Sequence, residues 1–549
     1  MIIGLLQLNP TIGAFAANRD KLLAAYRGAV ARGAEFVIAP ELFLCGYPPR
    51  DLLLRDDFIE ANAATLAETA ESVGSAPLAV GHADINPIRP GRPLTNAVSV
   101  LHEGKVAWQT TKCLLPTYDV FDEDRYFEPG ARPGIFEWKG IRIGITICED
   151  IWNDEDFWPE RRYRRDPVRE LIQGGAQVIL NLSASPWHLG KETTRLAMLQ
   201  QVARDEGVPL AQVNAVGGND ELIFDGHSSA LNGRGEILSL GKGFEEDTLL
   251  VDLFNGDSHC IPKPSFQPPE KLLFEALTLG LRDYVHKCGF QSVILGLSGG
   301  IDSAVVACIA AHALGPDKVT GVAMPARFSS PGSLSDASDL ARNLGIHLQT
   351  IPIEPAFEMM EKTLAPAFAG RPPNEAEENL QSRLRGITLM ALSNKFGSLV
   401  LTTGNKSEMA VGYCTLYGDM NGALAPIADV LKTEVYRLAN WVNQRQAVIP
   451  PSSITKPPSA ELRPNQMDQD SLPPYPVLDR IIQKYIVHHD KKSAIVNDEA
   501  PPEVVSDIIN KISHTEYKRR QAAPALKVSP RAFGMGRQIP IAQRFKASP

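Results

Sequence analysis

The stretch Leu295-Gly-Leu-Ser-Gly-Gly-Ile-Asp-Ser303 constrains this chain most, because an apolar strand runs there into a glycine turn and then a helix. Adjacent glycines let the backbone adopt positive φ and bring several N–H groups to one anion, and the following helix directs its positive end to the same point. Ser298 and Ser303 add hydroxyl donors. No lysine follows the glycines, which excludes a Walker loop. The stretch therefore predicts a phosphate-binding loop; a glycine turn before a capped helix is the alternative.

Composition limits the number of domains and the kind of partner. The chain has 549 residues and 44% hydrophobic content, which makes it too long to fold around a single hydrophobic core, so two or three domains are expected. The net charge of -9 disfavours a nucleic-acid partner, which requires a basic surface. The apolar run at Met1 is too short to span a bilayer and lacks a positive region before it, so we expect a cytoplasmic protein without a membrane partner. Seven cysteines without close pairs favour one catalytic thiol over a disulfide framework or zinc site.

Short apolar strands alternate with helical segments in residues 1–254, which predicts an α/β domain with a large sheet. The helical periodicity is clearest at Lys21–Ala31 and Thr193–Glu206. The predicted strands are Ile2–Leu8, Glu35–Pro40, Leu78–Ala83, Ala97–Leu101, Arg142–Ile147, Gln177–Leu182 and Leu210–Val213. A second series, at Ser292–Leu297, Lys318–Ala323, His347–Ile353 and Ser398–Thr403, predicts a parallel, doubly wound sheet in residues 270–549.

Two proline-rich stretches interrupt these patterns. Residues 255–269 contain Pro262, Pro264, Pro268 and Pro269 and fit an extended linker between the two domains. Residues 449–476 are rich in proline, serine and charge, and are too long for an inert connection in a compact domain. We interpret this second stretch as a mobile lid; a disordered surface loop is the alternative.

Three reactive side chains, Glu41, Lys112 and Cys148, each follow an apolar strand of the first domain. Taken separately, each has an ordinary explanation: Glu41 as a helix cap, Lys112 as a surface charge and Cys148 as a small buried apolar group. Together they provide a base, a cation and a nucleophile. A thiol that attacks an amide must lose its proton, which Glu41 can accept, while Lys112 stabilises the thiolate and the oxyanion of the intermediate.

The motifs around these residues resemble the nitrilase superfamily over nearly the whole first domain. They are Pro-Glu41-Leu-Phe-Leu-Cys-Gly-Tyr, Lys112-Cys-Leu-Leu-Pro-Thr-Tyr-Asp and Ile-Cys148-Glu-Asp-Ile-Trp. The resemblance implies an N-terminal αββα sandwich, with Glu41 as general base, Lys112 as its cationic partner and Cys148 as the nucleophile. The second motif is most similar to a glutaminase branch, which implies that glutamine contacts Tyr118, Ser185 and Lys191. Glu123 is a candidate second acidic group; a salt bridge to Arg125 or Lys112 explains it equally.

A further candidate site follows the predicted strand at Ser398, in the motif Thr402-Thr-Gly-Asn-Lys-Ser-Glu408. This motif brings Thr403, a glycine turn and a carboxylate to the edge at which parallel sheets bind nucleotides. Asp302 and Glu408 can hold Mg²⁺ between phosphate oxygens, because this ion prefers a few carboxylates together with substrate phosphates. A helix capped near Ser407 is the alternative.

These motifs resemble two related families. Ser-Gly-Gly-x-Asp-Ser at 298–303 is similar to the pyrophosphatase loop of ATP pyrophosphatases. Four further motifs are similar to the NAD synthetase family, and this resemblance covers about residues 270–542. They are the motif that ends at Glu408, Tyr417-Gly-Asp-Met, Pro426-Ile-Ala-Asp-Val-Leu-Lys432 and Pro458-Ser-Ala-Glu-Leu. The resemblance implies that the substrate ATP contacts Gly296, Leu297, Ser298, Gly299, Gly300, Ile301, Asp302, Ser303 and Thr403. It implies that deamido-NAD contacts Asn379, Glu408 and Lys527, and that the chain forms a homo-oligomer, from a dimer of second domains up to an octamer.

The activities implied for the two domains are complementary, because the first domain releases ammonia from glutamine and the second needs a nitrogen nucleophile. The resemblance therefore implies an ATP-dependent ligase that turns glutamine, ATP and deamido-NAD into NAD, AMP, pyrophosphate and glutamate. One alternative is an amidase fused to another ATP pyrophosphatase, which amidates a purine or thiolates tRNA, although the acidic charge disfavours tRNA. The other is a nucleotide-sensing scaffold with an inactive second domain, which the intact Ser298, Asp302 and Glu408 disfavour.

Overall fold

The computed structural model describes residues 1–154, 156–255, 267–497 and 500–545. The chain divides into two compact units, Met1–Phe266 and Gln267–Pro549. Most of the predicted linker, residues 256–266, lies outside the described residues, so the linker and the exact domain limits stay predictions. Within the described ranges, no helix is long and apolar enough to cross a membrane.

The first unit contains four helices and fourteen strands in its described part. The helices are α1 (Phe15–Ala31), α2 (Asp56–Glu71), α3 (Pro167–Gln173) and α4 (Lys191–Glu206). The strands are β1 (Ile2–Gln7), β2 (Phe36–Ile38), β3 (Leu78–Ile85), β4 (Leu94–His102), β5 (Lys105–Thr111), β6 (Gly134–Trp138), β7 (Ile141–Ile147), β8 (Val178–Ser183), β9 (Leu210–Asn214), β10 (Val216–Asn219), β11 (Leu222–Asp225), β12 (Ser229–Leu231), β13 (Ile237–Leu240) and β14 (Asp247–Asp252).

Two six-stranded sheets form the centre of this unit, in the orders β14-β1-β2-β3-β4-β5 and β13-β12-β9-β8-β7-β6. Side chains alternate between the faces of a strand, and β1 shows the result. Ile3 faces a core that it shares with Ile145 of the other sheet, whereas Leu6 packs with Leu22 of α1 on the outer face. Helices α3 and α4 cover the outer face of the second sheet. The unit is therefore an αββα sandwich, which confirms the predicted fold.

The second unit contains four strands and twelve helices in its described part. The strands are β15 (Val293–Gly296), β16 (Val319–Ala323), β17 (His347–Thr350) and β18 (Leu399–Leu401). The helices are α5 (Pro269–Lys287), α6 (Ile301–Leu314), α7 (Pro331–Leu344), α8 (Glu354–Phe368), α9 (Glu375–Phe396), α10 (Lys406–Val411), α11 (Lys432–Arg445), α12 (Pro451–Thr455), α13 (Tyr475–Ile482), α14 (Lys492–Ile495), α15 (Pro502–His514) and α16 (Glu516–Arg519).

The four strands of the second unit are all parallel and lie in the order β17-β16-β15-β18. Leu389 of α9 packs on Ile294 of β15, and α6 packs against β15, β16, α5 and α11. This arrangement confirms the predicted parallel α/β sheet. Because β15 lies between β16 and β18, the chain leaves its carboxyl end at a topological switch point, which is where such sheets bind ligands.

Candidate active sites

A buried ion cluster lies in the first unit, where the chain leaves β5 and β2. The Lys112 ammonium donates to Glu41 Oε1 at 2.7 Å and to both Glu123 carboxylate oxygens at 2.8 Å. The side chains of Lys112 and Glu41 are both 0% exposed, so their charges interact in a medium of low dielectric constant. The cluster contains two carboxyl groups for one ammonium, which gives it the capacity to take up a proton.

Burial and the neighbouring charges set the protonation of this cluster. Burial raises the pKa of Glu123 to about 7, although the Lys112 charge opposes the rise. Burial alone lowers the pKa of Lys112, but the carboxylates of Glu123 and Glu41 raise it well above its usual value. Lys112 is therefore a permanent cation at the centre of the site. Glu123 was predicted to be either a second acidic support or a salt-bridge partner of Arg125 or Lys112. In the structure its carboxylate pairs with the Lys112 ammonium and also accepts from the Tyr47 hydroxyl at 2.9 Å.

Cys148 begins a 3-10 turn directly after β7. Its φ of +44° lies in the left-handed region, which is strained for a residue with a side chain and is often found at functional sites. Asp150 holds the turn, because its carboxylate accepts three backbone N–H bonds of 2.8 to 3.0 Å, from Cys113, Leu114 and Ile147. Burial, followed by the Glu41 charge, raises the pKa of Cys148 well above its usual value. The resting side chain is therefore a thiol that requires a base.

Asn96 supports Glu41 and was missed from the sequence. Its Nδ2 donates to Glu41 Oε1 at 2.8 Å, and the Ala184 N–H donates to Glu41 Oε2 at 3.0 Å. Both oxygens of the carboxylate are thus oriented. Asn96 lies inside β4, 55 residues from Glu41, and nothing in its local sequence marks it.

Glu149, which directly follows Cys148 in the chain, was also not identified as a site residue from the sequence. The Tyr118 hydroxyl donates to both of its carboxylate oxygens at 3.0 Å, and the Tyr163 hydroxyl donates to Oε1 at 3.1 Å. Burial raises the pKa of Glu149, whereas Lys112, the two tyrosines and Lys191 lower it. The structure therefore brings Tyr118 and Lys191 to the neighbourhood of Cys148.

Ser185 follows β8, and Lys191 is the first residue of α4. The Ser185 N–H donates to Asn214 Oδ1 at 3.0 Å, directly after the Ala184 group that contacts Glu41. The Lys191 ammonium donates to the Pro186 carbonyl at 2.7 Å and lies 5.2 Å from the Trp152 ring centre. All three candidate glutamine residues are consequently near the ion cluster, and their contact with glutamine stays a prediction.

The predicted phosphate loop joins β15 to α6. Gly299 has φ +74°, and a Cβ at this position would lie 2.2 Å from the Ser333 carbonyl oxygen, so only glycine fits. Gly300 has φ -82°, so only Gly299 of the two adjacent glycines adopts positive φ. The Gly300 N–H donates to Ser298 Oγ at 3.2 Å, and the Ser303 hydroxyl donates to the Gly300 carbonyl at 3.0 Å. The two serines therefore also fix the shape of the loop.

Substitution of Gly299 tests whether the shape of this loop sets nucleotide affinity. We expect Gly299→Ala to destabilise the second unit by about 1 to 3 kcal/mol, the cost of a strained backbone conformation. We also expect a rise in the KM for ATP of about tenfold, equivalent to about 1.4 kcal/mol. Gly289→Ala is the matched control, because Gly289 has φ +82° and nothing within 4 Å. Denaturant unfolding and ATP titration measure both effects; an equal change in ATP affinity in the two variants would contradict the prediction.

Lys432, which the sequence analysis did not select as a site residue, lies between Asp302 and Glu408. Its ammonium donates to Asp302 Oδ2 and, at 3.4 Å, to Glu408 Oε1. Asn405 Nδ2 donates to Asp302 Oδ1 at 3.0 Å, and the Asn405 N–H donates to Glu408 Oε2 at 3.2 Å. Burial raises the pKa of Glu408 to about 8, which Lys432 opposes and Asp302 reinforces. The two predicted carboxylates are thus held together by one lysine and one asparagine.

Asp302 and Glu408 fit the ligand requirement of a Mg²⁺ ion that also binds substrate phosphates. Mg²⁺ usually takes one or two carboxylates from a protein and completes its shell with phosphates and water. In the described part of the chain, no group of three or more Asp, Glu, His or Cys side chains is placed to hold a metal ion. These two carboxylates therefore suit an ion that arrives with a nucleotide better than one held by the protein alone.

A cavity of about 310 Å³ extends from the phosphate loop. Its lining includes most of the predicted ATP residues, namely Gly296, Leu297, Ser298, Gly300, Ile301, Asp302, Ser303 and Thr403, and also Glu408. Asn379 and Lys527 are not in this lining. Asn379 Oδ1 accepts from the Thr415 hydroxyl at 2.7 Å, and the buried Lys527 ammonium donates to the Ser529 carbonyl at 2.8 Å. Their contact with a dinucleotide stays a prediction.

The stretch at residues 449–476 contains α12 and a 3-10 turn at Asp468–Asp470, and part of it lines the cavity. The Ser453 hydroxyl donates to the Gly299 carbonyl at 2.9 Å. Glu461 accepts from the Ser333 hydroxyl at 2.7 Å, and the Lys456 ammonium donates to the same hydroxyl at 3.1 Å. The stretch thus packs beside the phosphate loop, and its movement as a lid stays a prediction.

Known proteins resemble both units. Residues 2–257 match the Carbon-nitrogen hydrolase family and residues 273–522 match the NAD synthase family. The glutamine-dependent NAD(+) synthetase of Synechocystis sp. is 50% identical over 553 residues, which cover 99% of both chains. That of Thermotoga maritima is 44% identical over 583 residues, again 99% of both chains. This chain belongs to the glutamine-dependent NAD(+) synthetase family. The families expected from the sequence are therefore confirmed.

Solved structures agree with this assignment. The glutamine-dependent NAD+ synthetase of Acinetobacter baumannii, solved with adenosine diphosphate, is 36% identical, has a TM-score of 0.77 and covers 100% of this chain and 99% of its own. The synthetase of Cytophaga hutchinsonii is 22% identical, with a TM-score of 0.83 over 99% of this chain and 98% of its own, and shows the shared fold.

Proposed function

We propose that this chain hydrolyses glutamine in its first unit and uses the ammonia to convert deamido-NAD into NAD in its second unit. The observation that supports the proposal most directly is the buried 2.7 Å contact between Lys112 and Glu41 beside Cys148. This arrangement supplies amide-cleaving chemistry in a chain whose other unit carries a phosphate loop. Family membership gives the pairing of the two reactions.

In the first half-reaction, Glu41 accepts the thiol proton as Cys148 Sγ attacks the amide carbon of glutamine. The carbonyl electron pair moves to oxygen, and Lys112 stabilises the developing negative charge. Glu41 returns the proton to nitrogen, the C–N bond breaks and ammonia leaves. Water then gives a proton to Glu41 and attacks the thioester carbon, the C–S bond breaks, and Glu41 returns the proton to Cys148 Sγ as glutamate leaves. The raised pKa of Cys148 suits this order, because the proton leaves the thiol only as the attack occurs.

Tyr118, Ser185 and Lys191 are proposed to bind glutamine. Glu149 has the charge to pair with the α-ammonium group of the substrate, and Lys191 has the charge to pair with its α-carboxylate. The two charges already act on each other, since Lys191 lowers the pKa of Glu149. Glutamine therefore meets one cation and one anion close to the nucleophile.

In the second half-reaction, the nicotinate carboxylate of deamido-NAD attacks the α-phosphorus of ATP, and pyrophosphate leaves. The N–H groups of residues 298–303, with Ser298, Ser303 and Thr403, are proposed to hold the phosphates. Asp302 and Glu408 would hold Mg²⁺, which neutralises phosphate charge when bound. Ammonia then displaces AMP from the adenylate. Asn379, Glu408 and Lys527 are proposed to contact deamido-NAD.

One assay separates this function from its alternatives. The protein is mixed with glutamine, ATP, Mg²⁺ and either deamido-NAD or xanthosine monophosphate, and the release of AMP is measured. We expect AMP and NAD in equal amounts with deamido-NAD, and no AMP with xanthosine monophosphate. AMP release only with the purine nucleotide would identify another ATP pyrophosphatase. Glutamine hydrolysis without AMP in either mixture would favour an inactive second unit.

The proposal extends to the assembly and to the fate of ammonia. We propose a cytoplasmic homo-oligomer that passes ammonia to the second reaction without release to bulk solvent. Light scattering after gel filtration gives the oligomeric state. An added enzyme that consumes free ammonia should leave glutamine-driven NAD formation unchanged, and a proportional loss of NAD would contradict protected transfer.

We expect residues 449–476 to close over the adenylate, because water that reaches this mixed anhydride wastes ATP. Limited proteolysis should cut the stretch more slowly with ATP, Mg²⁺ and deamido-NAD together than in the free protein. The exposed residues 369–374 provide an internal control, which ligands should leave equally sensitive. Replacement of residues 454–462 by a Gly/Ser linker should raise the AMP released per NAD formed. An unchanged cleavage rate together with an unchanged AMP to NAD ratio would show that residues 449–476 form an ordinary surface loop.

A further inference from the structure

Lys432 and Glu408 come from two separate helices of the second unit. Glu408 is the third residue of α10, and Lys432 is the first residue of α11. Their charged groups nevertheless lie close together, since the Lys432 ammonium donates to Glu408 Oε1 at 3.4 Å. Because a helix is a rigid element, the spacing of these two charges depends on the contacts that join the first turns of α10 and α11.

Asp479 of α13 bonds to both of these first turns. Its Oδ1 accepts from the Ser407 hydroxyl, and its Oδ2 accepts from the Thr433 N–H at 2.9 Å. The Thr433 side chain bonds to the same carboxylate. Ser407 Oγ in turn accepts from the Lys432 N–H at 2.8 Å. One carboxylate therefore holds the residue before Glu408 and the residue after Lys432.

The Asp479 carboxyl group is buried and has no part in the two half-reactions described above. Its residue is 3% exposed. Burial raises its pKa, whereas the hydrogen bonds from Ser407 and Thr433 and the charge of Lys432 lower it. Burial of a carboxyl group is costly unless donors surround it, and these donors supply that compensation. In the described part of the chain, the cavity lining does not include Asp479, so this residue acts on its neighbours and not on a substrate.

Other contacts also keep these three helices together. Leu478 of α13 belongs to an apolar core that contains Ala410 of α10 and Leu431, the residue before α11. The Lys406 N–H donates to the Val430 carbonyl at 2.9 Å. Apolar packing is non-directional, so it holds the helices against each other without fixing their rotation as closely as a hydrogen bond does. The carboxylate between the helices supplies this directional link.

We propose that Asp479 is a positioning residue that keeps Glu408 and Lys432 at the spacing that ATP binding and adenylation require. This inference rests on the proposed function, in which the second unit adenylates deamido-NAD. The attraction between a cation and a phosphate depends on their distance, and a displacement of about 1 Å near reacting groups can cost about 100-fold in rate. Loss of the carboxylate link should therefore weaken ATP binding and slow adenylation while the fold is retained.

The test compares Asp479→Asn with Glu434→Gln. An amide has one acceptor oxygen in place of two, so Asp479→Asn cannot keep both links. Glu434 is the matched control, because its carboxylate accepts from the Leu431 N–H at 3.1 Å and pairs with Arg437, both at the start of α11. Calorimetry with ATP and Mg²⁺ gives the Kd, and exchange of labelled pyrophosphate into ATP, with deamido-NAD and no nitrogen source, reports adenylation. We expect a Kd about fivefold higher and exchange about 30-fold slower in Asp479→Asn. Glu434→Gln should stay within about twofold in both assays.

A double-mutant cycle on ATP affinity separates positioning from a general loss of stability. Glu408→Gln removes one of the two charges through which Asp479 is proposed to act. If Asp479 acts through this pair, the double variant should bind ATP within about threefold of Glu408→Gln alone. If the two single effects multiply instead, the residues act independently and the proposal is wrong.

Ser407→Ala provides the same test if Asp479→Asn does not fold, because it removes the hydroxyl that joins Asp479 to the Lys432 N–H. It should weaken ATP binding by about threefold or more, the usual effect of one lost hydrogen bond, and unchanged affinity would contradict the proposal. Unchanged affinity and exchange in Asp479→Asn, or an equal loss in Glu434→Gln, would overturn it as well. Wild-type protein that binds ATP without exchange on deamido-NAD would refute the proposed function, and the affinity cycle would still decide the role of Asp479.

Discussion

Cys148→Ala is expected to abolish NAD formation from glutamine and to leave NAD formation from ammonia within about twofold, because the thiol serves only the glutaminase chemistry. Loss of a catalytic nucleophile commonly costs about 10⁴-fold or more in rate. The measurement is the initial rate of NAD formation with each nitrogen source at saturating ATP and deamido-NAD. The ratio of the two rates isolates the first unit.

Cys45→Ala is the matched control for this change. Cys45 is also a buried cysteine of the first unit, and its thiol donates to the Leu42 carbonyl at 3.5 Å. We expect this variant to retain both activities. If Cys148→Ala lost both activities equally while it still unfolded cooperatively, the division of labour between the two units would be wrong.

Asp302→Ala is expected to block NAD formation from both nitrogen sources by about 10²-fold or more, the usual loss when one electrostatic contact to a transition state is removed. Asp302 opens α6 at the phosphate loop and pairs with Lys432, so its removal disturbs phosphate binding and leaves Lys432 with Glu408 alone. Glutamine hydrolysis should remain within a few-fold. Pyrophosphate exchange and glutaminase assays measure the two halves separately.

Asp317→Ala, at an exposed carboxylate in the 3-10 turn after α6, should change neither activity. Near-normal ammonia-dependent NAD formation by Asp302→Ala at saturating ATP would show that the loop has been assigned wrongly. A loss of glutamine hydrolysis as large as the loss of NAD formation would instead indicate a general failure of folding.

Strands with continuous apolar runs were predictable from the sequence, whereas β5, which lacks such a run, was not. Val178–Ser183 and Val293–Gly296 are central strands and appear within a residue or two of their predicted limits. β5, at Lys105–Thr111, was missed because it is an edge strand with mostly exposed side chains, so its sequence lacks an apolar run. The predicted strand from His347 ends at Thr350, since the chain there turns towards α8.

The candidate sites were predictable where the chemistry lies in a contiguous motif. Glu41, Lys112, Cys148 and the loop at 298–303 each belong to such a motif, and the structure places them in two clusters. Asn96 and Lys432 were missed as site residues because their partners lie 55 and 130 residues away along the chain.

Lys432 gives the second unit an internal counterion. Because its ammonium bonds to both Asp302 and Glu408, neither carboxylate is an isolated buried charge when no nucleotide is bound. Lys432 therefore supplies one positive charge to two carboxyl groups, which leaves room for a further positive charge beside them. A nucleotide that brings a divalent cation would add positive charge to a pair of carboxylates that Lys432 already holds together.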